Sequence, residues 1–269
     1  SFNAGFEFDL FNNRLSGTIE GYYAKTSDML YQRALPASTG FSNIYENFGD
    51  VCNYGVDIDL NGTVIATRDF SWDLNLNMSH LKNKVLKLPD VNKTSVVDGH
   101  GGSASGGFFM GEGLPVYSYY EAVYAGVNET TGEPMFWGKD KDGSWIQKRS
   151  NEITQSDYQL TGCAIPKLSG GFGTSLRYKG IEVSAQFTYQ IGGKVTDGNY
   201  SGYMTTMQSG TVGGAIHADW LDAWTPENPH SNVPRWQYGD DFSVSSNRFL
   251  TDASYLNFQN LRVAYTLPS

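Results

Sequence analysis

Four histidines, His80, His100, His217 and His230, are the obvious candidates for metal ligation or general-base work. They stand far apart, with neither an H-x-x-x-H pair nor a carboxylate at ligand spacing, so strand-end or loop histidines are expected and no zinc site. Asp140-Lys141-Asp142-Gly143 has the opening of a calcium loop but lacks the third acid and the closing glutamate, and reads as an Asp-Gly turn. The acid pairs Asp57/Asp59 and Asp240/Asp241 have the composition of a glycosidase dyad. The first pair falls on one face of a strand, where a polar wall needs hydrophilic groups for other reasons. Gly/Ser stretches at 99–107 and 209–214 match neither a phosphate loop nor a nucleophile elbow and read as flexible loop. Cys52 and Cys163 are too few for a disulfide scaffold or a metal knuckle; two isolated thiols, or one pair in an oxidising compartment, both fit. The residues therefore point to no enzyme, no cofactor and no metal.

Binding is better represented than catalysis. Tyr117, Tyr119, Tyr120, Tyr124, Phe136, Trp137, Trp145, Trp220, Trp224 and Trp236 gather in irregular segments. Exposed aromatic faces suit sugar rings or peptide side chains. Tyr119, Tyr120, Trp137, Trp145 and Trp236 are the candidate substrate-binding residues. The alternative is that these rings pack loop against loop or against a partner.

The elements that would position them are strands. From Asn53 to Ala66, Tyr54, Val56, Ile58, Leu60, Val64 and Ala66 share one face, and Asp57, Asp59, Asn61 and Thr63 the other. From Phe70 to His80, Phe70, Trp72, Leu74, Leu76 and Met78 oppose Ser71, Asp73, Asn75, Asn77 and Ser79. A two-residue period over such lengths is that of strands. The same alternation marks residues 2–11, 15–23, 168–178, 181–191 and 255–267, with turns expected at Asn12-Asn13, Thr67-Arg68-Asp69 and Lys179-Gly180. A short helix around 214–224, stopping at Thr225-Pro226, is the one helical signal. One oily and one wet face fits a soluble β-sandwich, or an outer-membrane barrel whose oily face meets lipid. Strands of 10 or more residues favour the barrel, since about 9–11 tilted residues cross a bilayer. The connections agree, because minimal turns near 12–13, 67–69 and 179–180 take turns with long segments at 26–52, 81–167 and 192–253. Barrels have short periplasmic turns and long extracellular loops.

Composition narrows the partners. Of 269 residues 31 are glycine, 14% are aromatic and 17% charged, with a formal charge of −9. That sign argues against nucleic acid, whose phosphates need a basic patch. No run of 18 apolar residues occurs, so no transmembrane helix is expected, which leaves a barrel open. The first residues, S-F-N-A-G-F-E-F, are already in strand alternation and lack the charged and apolar regions of a signal peptide, so a mature protein or an interior piece is expected.

Several segments resemble the SusC/RagA-type TonB-dependent transporters of Gram-negative outer membranes. These are N-F-G-D-V-C-N-Y-G-V-D-I-D-L-N-G at 47–62, F-S-W-D-L-N-L-N-M-S-H-L-K-N-K-V-L-K-L at 70–88, D-A-W-T-P-E-N-P at 222–229 and S-N-R-F-L-T-D-A-S-Y-L-N-F-Q-N-L-R-V-A-Y-T-L-P at 246–268. None is a catalytic signature; their order and spacing over nearly the whole chain carry the match. The resemblance implies an all-β fold, a partial antiparallel barrel cut from one of about 22 strands with long extracellular loops. Residues 1–269 would then be part of one barrel domain, with the plug and the final strands outside this chain. It further implies active import of glycans or peptides, a SusD-like surface lipoprotein over the mouth, energy from the TonB complex, contact with outer-membrane lipid, and dimers of SusCD-type pairs. The competing expectation is a secreted soluble sandwich that binds or hydrolyses glycans.

Overall fold

Cross-strand register decides whether the oily faces of separate strands merge into one surface. In the computed structural model, which describes residues 1–34, 37–47, 49–204, 215–237 and 244–267, they do. Seven strands form a single antiparallel sheet in chain order: β1 (Phe2–Leu10), β2 (Leu15–Thr26), β3 (Asp50–Ala66), β4 (Phe70–Lys87), β5 (Leu168–Tyr178), β6 (Ile181–Ile191) and β7 (Tyr255–Tyr265). One lateral row runs Phe8, Gly17, Leu60, Leu76, Phe172, Phe187, Phe258, and the row beside it Phe6, Ile19, Ile58, Met78, Gly170, Tyr189, Leu256. The opposite face carries rows such as Glu7, Thr18, Asp59, Asn77, Gly171, Thr188, Asn257. A slip of one residue in any strand would scatter both surfaces, so the pattern itself specifies the register.

Among the described residues no second layer covers the oily face in the way a sandwich requires. Phe6 is 65% exposed, Phe258 54% and Val263 67%. The sandwich expectation is corrected on that ground. Aromatic residues rim the short-turn end of this face, where Phe70 pairs with Tyr178 and Ile181 with Tyr265. Lys82 and Lys84 are the first charges along it on β4, twelve residues past Phe70, which is about 40 Å of strand and about 30 Å of height at a tilt of about 40°. That height is the thickness of a hydrocarbon core.

Thr174 stands on the oily face opposite Leu74 and Ala185, and its Oγ1 accepts the Trp72 indole N–H at 2.9 Å. In lipid neither group has water to fall back on, so each satisfies the other. Thr174→Val should lower the denaturant stability of the detergent-folded barrel by about 1 kcal/mol while Thr174→Ser leaves it unchanged. Equal urea midpoints for the two variants would remove the bond from the account.

Two of the three expected turns need their residue types. Lys179 and Gly180 both adopt positive φ, as a two-residue hairpin twisted to match its strands demands. The Asn12-Asn13 turn is longer than expected, with Phe11 joining both asparagines at positive φ before Arg14 N–H closes onto the Leu10 carbonyl at 3.1 Å.

The long segments, read from sequence as irregular, are largely folded. Between β4 and β5 lie a five-stranded sheet (Ser95–Val97, His100–Ser105, Phe108–Gly111, Ser118–Glu121, Gln159–Cys163) and a three-stranded one (Val123–Val127, Pro134–Lys139, Trp145–Arg149). The Gly/Ser stretch at 99–107 is mostly one arm of a hairpin, not flexible loop. Most of the buried core is here rather than in the wall, with Phe109, Tyr120 and Phe136 inside it. Between β6 and β7, Lys194–Thr196 pairs with Leu250–Asp252, and the expected helix is a single 3-10 turn, Ala218–Asp222, with Trp220 packed on Met204. Gly214, the stretch 209–214, Asp240/Asp241 and Pro268 lie outside the described residues.

Candidate functional site

The wall positions the loops because β3 and β4 run past the oily band. Val51, Val85 and Leu88 form a buried cluster against Met110 and Val116. Beside it Asn83 accepts the Val116 N–H at 2.8 Å through Oδ1 and donates to Asn53 Oδ1 at 2.7 Å. Val85 and the 113–114 backbone exchange two further bonds. The five-stranded sheet is thereby fixed to the inner, polar side of the wall.

The three-stranded sheet is anchored by one carboxylate. Asp157 is 2% exposed and accepts the Lys139 N–H (2.7 Å), the Thr154 N–H (2.9 Å), the Thr154 hydroxyl (3.1 Å) and the Lys148 ammonium (3.1 Å). Burial works to raise its pKa, but the Thr154 and Lys139 N–H groups, Lys148 and the Thr154 hydroxyl outweigh it and hold the carboxyl below its ordinary value.

Between the two sheets opens a cavity of about 620 Å³ lined by Asp98, Tyr120, Lys139, Trp145, Gln155 and Tyr158 among others. Trp145 is 42% exposed with the Lys139 ammonium 5.1 Å from its ring. The Tyr120 ring packs edge-on against Tyr158 at 5.6 Å and its hydroxyl donates to the Gln155 carbonyl at 2.8 Å. Aromatic planes beside hydrogen-bonding groups are the chemistry of polyol or peptide binding. A second cleft of about 360 Å³ lies between Phe108, Tyr119, Glu121, Ser245, Ser246 and Phe249.

Of the five aromatic candidates, the structure thus brings Tyr120 and Trp145 to one cavity and places Tyr119 in the wall of the other, its ring 4.6 Å from Phe108. Trp137 stands apart on the strand Pro134–Lys139, half-exposed, and Trp236 packs edge-on against Trp220 at 4.7 Å with its outer edge open. Sequence reasoning missed Tyr158 and Glu121. Both lie in stretches without periodicity, and nothing in their local sequence sets them apart.

The other candidates are dispersed. His100 Nδ1 lies 2.6 Å from the Glu112 carbonyl oxygen, His217 3.2 Å from Asp219, His230 2.9 Å from Glu129, and His80 against the Lys167 carbonyl. Asp140 Oδ1 accepts the Asp142 and Ser144 N–H groups, both at 2.9 Å, and so closes the hairpin between Lys139 and Trp145. Asp57 and Asp59 stand on the polar face opposite Ser79 and Asn77, Asp59 accepting Asn61 Nδ2 at 2.8 Å. Cys52 is buried in β3 and Cys163 partly buried in a loop strand, both free thiols.

Three comparisons bear on identity. The family profile described as TonB dependent receptor-like, beta-barrel matches residues 1–147. TonB-dependent receptor P3 of Formosa agariphila is 31% identical over 98% of this chain, and TonB-dependent receptor SusC of Bacteroides thetaiotaomicron 24% identical over 99%; each alignment covers 26% of the relative. The structure of the RagAB peptide transporter superposes with a TM-score of 0.81 at 27% identity, over 99% of this chain and 28% of that one. The chain spans about a quarter of the length of the curated relatives it matches. Matched by the profile over more than half its length and superposing on that barrel wall with its loops, the chain belongs to the TonB-dependent receptor family, whose β-barrels lie in the outer membrane of Gram-negative bacteria.

Proposed function

We propose that this chain forms part of the barrel wall and mouth of a SusC/RagA-like importer, which draws glycans or peptides across the outer membrane without chemical conversion. The uninterrupted oily face across seven strands, backed by a polar face and crowned by folded aromatic loops, is the observation that carries it. Residues 1–269 serve as one stretch of a larger closed barrel, since the outer edges of β1 and β7 are unpaired within the sheet and an open edge is not tolerated in lipid. A plug supplied elsewhere in the protein gates passage, and TonB supplies energy. A SusD-like lipoprotein covers the loop end, and two such pairs associate as a dimer. Both partners rest on the likeness to SusC and RagAB. Trp145 offers a ring face to substrate from the cavity whose wall Tyr120 helps to build; Tyr119 lines the second cleft, and Trp137 and Trp236 present half-exposed rings elsewhere on the loops.

Topology tests this directly. Cysteines introduced at Asp142, in the exposed hairpin turn, and at Gly106 should react with a membrane-impermeant maleimide on intact cells, whereas cysteines at Asn13 and Gly180 should react only after lysis. The reverse pattern would invert the barrel and put the cavity on the wrong side for capture.

A further inference from the structure

Glu121 is a carboxyl without the partners that a buried charge needs. It is 3% exposed, and its one hydrogen bond among the described residues comes from the Thr161 hydroxyl to Oε1 at 2.9 Å. Among the described residues no lysine, arginine or backbone N–H reaches it, in contrast to Asp157, which holds four donors. Arg248, the cation on the neighbouring segment, stacks instead on the rings of Tyr124 and Phe249, at 5.3 and 5.0 Å. A carboxyl so placed is costly to the fold, and its burial drives its pKa upward.

The cost has a location. Glu121 lines the second cleft, whose about 360 Å³ lies at the lower end of the roughly 300–1,000 Å³ of small-molecule sites. Around it stand Phe108, Tyr119, Phe249, Ser245 and Ser246. The cleft is held by backbone pairing between two distant segments. Ala122 donates to the Ser245 carbonyl at 3.0 Å, Asn247 donates to the Ala122 carbonyl at 3.0 Å, and the Asn247 side chain accepts the Tyr124 N–H at 2.8 Å. Residues 121–124 and 245–247 thus form a rigid floor, and the acid projects from it. Aromatic faces beside a desolvated carboxylate form a receptor for an organic cation, attracted by ring quadrupoles and neutralised by the acid.

We propose that this cleft binds a protonated primary amine, carried by a lysine-type side chain of a peptide or by an amino sugar, with Glu121 as its counter-ion. The ammonium supplies the donors that Glu121 lacks, and the rings enclose the carbon frame. The site is local to the loop sheet and its occupancy is read by binding rather than uptake, so it stands or falls separately from the import reading.

Calorimetric titration of the full-length protein in detergent decides it, with two pairs of probes: an end-blocked Ala-Lys-Ala tripeptide against its Nε-acetyl form, and a glucosamine disaccharide against its N-acetylated form. The free amine should bind about tenfold tighter than its acetylated twin in at least one pair. Preference in the peptide pair alone assigns the site to peptides, and in the sugar pair alone to amino sugars. Glu121→Gln keeps the Thr161 bond and should abolish the preference, and Glu121→Asp should weaken it. Equal affinities for amine and acetamide in both pairs, or a preference that survives Glu121→Gln in protein retaining its heat-modifiable gel shift, would overturn the proposal. Should neither variant insert, the comparison of probes on the unaltered protein still decides.

Discussion

Asp157→Ala should unfold the three-stranded loop sheet while leaving the barrel wall standing. The substitution removes the acceptor of four hydrogen bonds at once and leaves the Lys148 ammonium, itself largely buried, without a counter-ion. Breaking a buried pair from one side costs about 3–5 kcal/mol, enough to exhaust the local stability of a small sheet. The wall shares no strand with that sheet and is held by its own ladders. In purified protein, trypsin should therefore cut rapidly after Lys139, Lys148 and Arg149 in the variant and slowly in the parent, with the heat-modifiable shift of the barrel unchanged. Acid should mimic the mutation. The folded pKa of Asp157 lies below its unfolded value, so the stabilisation is complete above the ordinary aspartate pKa, about 3.9, and is lost as pH falls through the lower, folded value. Loop protection should persist at pH 5 and fail only in stronger acid. A tryptic pattern identical in parent and variant would show that Asp157 does not anchor the sheet.

The contrast between wall and loops also explains what the sequence disclosed. Every strand of the wall was legible, because a strand with one face in lipid and one in water must alternate, and residues 181–191 do so without exception. Ends were less so. β3 and β4 run on to Asp50 and Lys87 because their last turns leave the membrane, and there Val51 and Val85 on the inner side are buried by the loop sheet, so the hydrophobic parity changes. The loops were read as irregular for the same reason. Their strands are short, often buried on both faces, and the run Ser118–Glu121 is buried at every position. Such a segment has no period to detect. At the candidate site, residue types were legible and neighbours were not. Tyr120 and Trp145 come together only because Asp157 and Tyr158, on a different segment, fold back against both sheets.

A charge placed on adjacent residues of β2 tests which face meets lipid. Ile19 lies in the oily row between Phe6 and Ile58, in the interior of β2, and Thr18 lies in the polar row between Glu7 and Asp59. Ile19→Arg should destabilise the barrel by about 2–4 kcal/mol, the cost of an arginine at the bilayer midplane, and lower the amount assembled in the outer membrane. Thr18→Arg puts the same side chain one residue away, beside two carboxylates, and should assemble as well as the parent. Both parent residues are β-branched strand formers and both variants carry the same arginine, so the difference reports chiefly the environment of the face. Measured by the folded fraction on unheated gels of membrane extracts, equal losses for both variants would mean that both faces are covered, and equal tolerance would mean that water meets the oily face. Loss at Ile19 with tolerance at Thr18 requires an apolar phase on one face and water on the other, and recovery of the folded parent in the membrane fraction rather than the soluble one makes that phase lipid.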